Sequence, residues 1–265
     1  MIRTQSILAS DGVATAARFA GESGPALVFV HGVGSSAAIW DAQLRDLSES
    51  YRCFAVELRG NGVPVPEPDP VAIDRAGYAR DVLAVASAFG IDRFVLVGCS
   101  LGGVVAFELW QHHSARIEAM ALVGSFARYP NAQTYADGIV DAVEAAGSMP
   151  AFANQRAAKL GLAPERLRET LEQMARKSVP SYIAATRATW TGDYRSILAS
   201  IDVPVWVACG EHDTVAPLTL TNEIARSIPG SMQTVIVGAG HVANADAPER
   251  FNQDLRRFLA QSRVS

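Results

Sequence analysis

Short, almost wholly apolar runs recur along this chain at Leu27–His31, Tyr51–Glu57, Arg93–Val97, Ile117–Val123 and Val203–Cys209. A strand that is apolar at every position, rather than at alternate ones, has to be buried on both faces, and that requires a parallel sheet covered by helices on each side. Parallel neighbours cannot be joined by tight turns, and the stretches between the runs have the length and period of crossover helices. Ala37–Leu47 reads as one helix. Asp74 caps a second, which runs to Phe89 and stops at Gly90. Others end at His113, span Leu218–Ile228 and span Pro248–Ala260, with a last strand at Met232–Val237. Ahead of them, Ile2–Leu8 and Val13–Phe19 flank Asp11-Gly12, a hairpin signal. The expected fold class is therefore α/β.

The alternation breaks once. From Phe126 to about Ser196 the sequence shows helical periods and no strand. Pro164 and Pro180 stand at helix starts. Leu167, Leu171 and Met174 share a face that Arg176-Lys177 closes, with the two cations suited to a helix C-terminus. This reads as a helical cap, 126–196, inserted into a core made of 1–125 and 197–265. Trp190, Tyr194 and Phe152 are its candidates for lining an apolar pocket, with simple packing as the competing role. Trp40, Trp110 and Trp206 read as structural. A loop carrying Pro64, Pro66, Pro68 and Pro70 is expected to be stiff and extended.

Composition narrows the function classes. Net charge is −4 with both signs interspersed, so no basic field invites nucleic acid. No apolar run is long enough to span a membrane, and Met1–Gln5 lacks a signal-peptide core. Cys53, Cys99 and Cys209 are few and widely spaced, which favours a reducing cytoplasm over a disulfide framework. The expected partner is a small-molecule substrate, and a homo-oligomer is compatible with the sequence.

Chemistry concentrates where the Arg93–Val97 strand meets the helix that follows. Gly98-Cys99-Ser100-Leu101-Gly102 places a serine between two glycines at a sharp strand-to-helix turn, a nucleophile elbow. Such a serine needs a base, an orienting carboxylate and oxyanion donors. There are five histidines. His241, in Gly238-Ala239-Gly240-His241, follows a strand and so reaches the same sheet edge as Ser100. His31 precedes the serine, His112-His113 suits a helix C-terminal dipole, and His212 reads as a surface position. For the acid, Asp213 in Gly210-Glu211-His212-Asp213 leads, with Glu211 as the weaker candidate. The order Ser100, Asp213, His241 fits the triad order of hydrolases with this elbow. The backbone N–H groups of Val33, in His31-Gly32-Val33-Gly34, and of Leu101 at the helix head are the candidate oxyanion donors. A zinc site on Glu211-His212-Asp213 lacks a partnering ligand cluster in the sequence.

Taken in order, His31–Gly34, Arg59-Gly60-Asn61-Gly62, Gly98–Gly103, Gly210–Asp213 with Pro217, and Gly238–His241 with Pro248-Glu249 resemble the α/β-hydrolases of the capped esterase–lactonase type. The resemblance covers nearly the whole chain. It implies a mostly parallel eight-stranded sheet with a helical cap after the sixth strand, a serine–histidine–aspartate triad, and no metal or organic cofactor. One departure stands out. The family's Asp-x-Arg-Gly-x-Gly-x-Ser here reads Glu57-Leu58-Arg59-Gly60-Asn61-Gly62-Val63-Pro64.

Within such hydrolases Ser100 excludes the dehalogenases and epoxide hydrolases, which need an aspartate at the elbow. Carbon–carbon bond hydrolases typically carry tryptophan after the histidine, where this chain has Val242. Cofactor-free perhydrolases and haloperoxidases usually bear an aromatic residue at Val33. The elbow and the Gly-His-x-x-Asn tail look more like 3-oxoadipate enol-lactonases and related esterases. A slow-turnover ligand receptor on an intact hydrolase scaffold is the reading from outside enzymology.

Overall fold

A computed structural model describes residues 1–61, 67–157 and 164–262. Eight strands form one sheet: β1 (Arg3–Leu8), β2 (Ala14–Ala20), β3 (Ala26–Val30), β4 (Arg52–Glu57), β5 (Phe94–Cys99), β6 (Ile117–Val123), β7 (Val205–Gly210) and β8 (Met232–Ile236). Their order is β1-β2-β4-β3-β5-β6-β7-β8. The pairs β1–β2 and β2–β4 are antiparallel, and every other pair is parallel. Every residue of β3, β5 and β7 is buried, whereas the edge strands β1 and β8 are largely exposed or half-buried. Gly12, at φ +77°, turns the first hairpin.

Alternate residues of the central strands supply two separate cores, as the pleat requires. Val28, Val30, Leu96 and Leu122 face α2 (Arg75–Ala88), α3 (Leu101–His113) and α8 (Leu218–Ser227). Leu27, Phe29, Val95 and Val97 face α1 (Asp41–Leu47) and α10 (Pro248–Gln261). Trp40 and Trp206 are buried in the second core and Trp110 in the first, as structural residues. Between β6 and β7 lie α4 (Ala132–Ala146), α5 (Met149–Ala157), α6 (Pro164–Ala175) and α7 (Val179–Trp190). An isolated antiparallel bridge, Arg128 to Asp193, joins the two ends of that segment. No helix of the described residues is long and apolar enough to cross a membrane.

Three local differences from the sequence reading have physical causes. The first turn of the expected Ala37–Leu47 helix is 3₁₀ (Ala37–Trp40), because Ala37 N–H is taken by the Glu57 carboxylate at 3.0 Å and Ile39 C=O accepts from Asn244 at 3.1 Å. Strand β5 continues through Gly98 and Cys99, which still pair with Leu122 and Val123. Lys177, read as a helix-end charge, turns inward and is buried. The Pro64–Pro66 part of the proline loop lies outside the described residues; Pro70 opens a short 3₁₀ turn with Asp69 as its cap.

Candidate active site

The carboxyl ends of five parallel strands bring the candidate residues to one edge of the sheet. Ser100 leaves β5 at φ 55° and ψ −111°, one of two non-glycine residues at positive φ among those described. Such a conformation stores about 1–3 kcal/mol and persists only where the surroundings impose it. Here they do. Ser100 N–H donates to Val123 C=O at 2.9 Å, and its own C=O accepts from Gly103 N–H at 2.9 Å. A Cβ at Gly98 would lie 2.3 Å from Gly102 O, and one at Gly102 would lie 2.2 Å from Val30 O. The flanking glycines are thus a packing necessity of the elbow. They let α3 start directly behind the serine, with the Leu101 N–H and the positive end of the helix beside the hydroxyl.

The loop after β3 lies against this elbow. A Cβ at Gly32 would approach Ser100 Cβ to 3.3 Å and its Oγ to 3.8 Å. The turn Gly32–Ser35 closes with Ser35 N–H donating to Gly32 C=O at 3.2 Å, and Gly34 sits at φ +78°. That is a type II turn with Val33 at its first central position. Neither Val33 N–H nor Leu101 N–H appears in a hydrogen bond among the described residues.

Asp213 and His241 arrive on the loops after β7 and β8. His241 Nδ1 lies 2.9 and 3.1 Å from the two Asp213 carboxylate oxygens. Asp213 Oδ1 also accepts from Val215 N–H at 2.9 Å and Ala216 N–H at 2.8 Å. Burial opposes the charge of Asp213, but the His241 bond and these two N–H groups outweigh it and hold the carboxyl below its usual range. An acceptor at Nδ1 fixes the proton there and leaves Nε2 as the free base. Gly124, at the end of β6 with φ +51°, makes room for the pair: a Cβ there would stand 3.1 Å from both Asp213 Oδ2 and His241 Nδ1. No hydrogen bond joins Ser100 to His241 in the structure. The loop after β3 lies between them: Gly32 packs on Ser100, and its neighbour Val33 lines one cavity of about 150 Å³ with His241.

The remaining candidates fall elsewhere. Glu211 accepts from Gly238 N–H at 2.9 Å and shapes the histidine loop. His31 is fully buried, with Nδ1 on Gly32 C=O at 2.8 Å and Nε2 accepting from Leu58 N–H at 3.2 Å. His112 stands beside Glu108 on α3, while His212 lies on the cavity wall. Trp190 is buried, stacked on Phe126 at 5.1 Å and edge-on to Tyr129 and Tyr135. It is not among the lining of the cavity at His241. Tyr129 donates to Val215 C=O at 3.0 Å, so this aromatic cluster braces the Asp213 loop. Tyr194 bonds Glu108, and Phe152 packs on Tyr182.

Sequence reasoning missed Arg156, Gln173 and Met174, which α5 and α6 bring to the cavity wall. Met174 had a signal, but as a helix-face core residue; Arg156 and Gln173 had none. Gly124 could have been found as a glycine placed directly after a buried strand.

The α/β-hydrolase fold family profile matches residues 25–248. The chain is 27% identical over 244 residues to 3-oxoadipate enol-lactonase 1 of Acinetobacter baylyi, covering 90% of each chain. It is 26% identical to RutD of Cronobacter turicensis, provisionally named a carbamate hydrolase, across 89% of this chain and 91% of that protein. A crystal structure of a hydrolase from Pseudomonas aeruginosa superposes with a TM-score of 0.87 at 29% identity, covering 97% of this chain and 98% of the other.

Proposed function

Because this chain belongs to the α/β-hydrolase fold family, we propose that it hydrolyses a small-molecule carboxylic ester or lactone through an acyl-enzyme on Ser100. The observation that carries the proposal is the strained Ser100 elbow sharing a sheet edge with a half-buried His241 that the buried Asp213 holds at 2.9 Å. His241 Nε2 takes the hydroxyl proton as Ser100 Oγ attacks the substrate carbonyl. Asp213 holds the imidazole tautomer and favours the imidazolium that forms. The N–H groups of Val33 and Leu101 receive the developing oxyanion, at about 3 kcal/mol of barrier for each donor. His241 then returns its proton to the leaving oxygen, and activates the water that releases the acid.

The helices 126–196 serve in this reading as a cap. Through Arg156, Gln173 and Met174 they form the wall facing His241 and select the substrate. The relatives' named substrates, an enol-lactone and a carbamate, share a carbonyl with a heteroatom leaving group, as this site requires. A panel of simple esters, lactones and carbamates assayed with the protein and with Ser100→Ala tests the proposal. Turnover of at least one oxygen ester or lactone, abolished in Ser100→Ala, is expected. Turnover of carbamates alone, or activity that survives the substitution, would overturn it.

A further inference from the structure

Lys177 is a buried cation that the acyl-transfer scheme leaves unused. It lies between α6 and α7, 7% exposed, and its bonds go to no carboxylate among the described residues. A buried charge without a direct counter-ion is costly unless its donors are satisfied. Its ammonium instead reaches out of the cap segment to two backbone carbonyls of the core. One is Ser35 C=O at 2.9 Å, the last residue of the Val33 turn; the other is Asn61 C=O, in the loop after β4.

The same turn is gripped from the other side. Glu57 Oε2 accepts from Ala37 N–H, two residues beyond Ser35. Other parts of the cap segment touch the turn as well. A Cβ at Gly34 would meet Tyr182 at 3.3 Å and Met174 at 3.6 Å, and Ser35 Oγ bonds Gln173 at 3.4 Å. The stretch 173–182 is therefore seated directly on the turn that presents the Val33 N–H.

We propose that Lys177 is a positioning residue: from the cap it clamps the Ser35 carbonyl against the Glu57-held end of the loop, and so sets the Val33 N–H in its oxyanion-receiving orientation. This rests on the acyl-transfer reading of Ser100. It makes the oxyanion hole a joint product of core and cap, so that the seating of the cap and the stabilisation of the tetrahedral intermediate are one event. A misplacement of about 1 Å in such a donor can cost on the order of a hundredfold in rate. Lys177 touches no reacting atom. Its loss should leave substrate binding nearly intact and weaken only what the intermediate alone enjoys.

The test compares Lys177→Met with Glu67→Gln in the full chain. Glu67 also ties this part of the cap, through Ser178 and Ser181 Oγ, with its bonds going to the cap and not to the turn. For each variant kcat, KM, the melting temperature and inhibition by a boronic acid, which mimics the tetrahedral adduct, are measured on the best ester of the panel. The expected result for Lys177→Met is a fall in kcat of about tenfold or more with KM changed less than about twofold, and boronate affinity falling in parallel with kcat. Glu67→Gln should lower the melting temperature without that split. If Lys177→Met does not fold, Lys177→Gln, whose shorter neutral side chain keeps a donor but gives up the charge and reach that span both carbonyls, is read in the same direction with a smaller expected fall in kcat. Wild-type kcat and boronate affinity in the Lys177 variant would overturn the proposal, as would equal losses in both variants. Ser100→Ala, run alongside, separates the two levels: activity surviving there refutes the acyl-enzyme itself, whereas a Ser100-dependent enzyme indifferent to Lys177 refutes only the clamp.

Discussion

At the scale of single residues, the choice between neighbouring acids is the sharpest outcome. Asp213 and Glu211 are two positions apart in the same loop, yet one holds the His241 imidazole and the other a backbone N–H. Asp213→Asn should lower kcat by roughly 10³–10⁴-fold, because the amide favours the wrong imidazole tautomer. Glu211→Gln should stay within about threefold, as steady-state kinetics of the two proteins will show. Asp213 is held below the usual carboxylate range, so its contribution to stability is present above that range and is lost only as pH falls through its lowered folded value. Lys177 gives the opposite limb. Burial lowers its pKa to about 8, against the attraction of Glu57. The phenol of Tyr182, which also packs on the turn, is pushed up by burial and stays neutral in that window. A lysine whose folded pKa lies below its unfolded value near 10.4 opposes folding while charged, so losing the proton between these values does not unfold the protein. Activity should therefore decline above about pH 8 while circular dichroism holds steady. In Lys177→Met this decline should be missing.

At the scale of elements, the turns after the strands decide what the site can be. Gly124→Ala should reduce kcat at least tenfold, since its Cβ would press on Asp213 Oδ2 and His241 at 3.1 Å and a left-handed alanine adds roughly 1–2 kcal/mol of strain. Kinetics beside thermal melting will separate the two effects. Strand and helix types were legible because fully apolar β3 and β5 cannot be amphipathic helices, and because Asp74, Gly90 and Pro248 mark ends by chemistry that acts locally. Ser100, Asp213 and His241 were legible for the same reason, each standing just past a strand. What was hidden depends on contacts between distant parts of the chain. Lys177 reads as a helix-end charge until the fold sets Ser35 and Asn61 around it, and Arg156 reaches the cavity wall without any local mark. Trp190 carried the signal of a pocket aromatic, but Phe126, Tyr129 and Tyr135 enclose it in the structure.

At the scale of the whole molecule, one buried cation ties the amino-terminal hairpin to the core. Arg59 meets Asp81 on α2 at 2.8 Å, Asp11 at the hairpin turn at 2.7 Å and Ala72 C=O at 3.1 Å. Asp81→Ala would leave that guanidinium buried with one of its two carboxylates gone, a loss of about 3–5 kcal/mol that urea denaturation will read. The sheet thus brings Ser100, His241 and Asp213 to one edge, while Gln173, Met174 and Lys177 of the segment between β6 and β7 pack on the Gly32–Ser35 turn. The central claim is that Ser100 is the nucleophile. Mass spectrometry after reaction with a serine-directed fluorophosphonate tests it most directly. One adduct per chain on Ser100, formed in step with the loss of ester hydrolysis and absent in His241→Ala, is the predicted result. An adduct on another residue, or full labelling of Ser100 with hydrolysis intact, would contradict it.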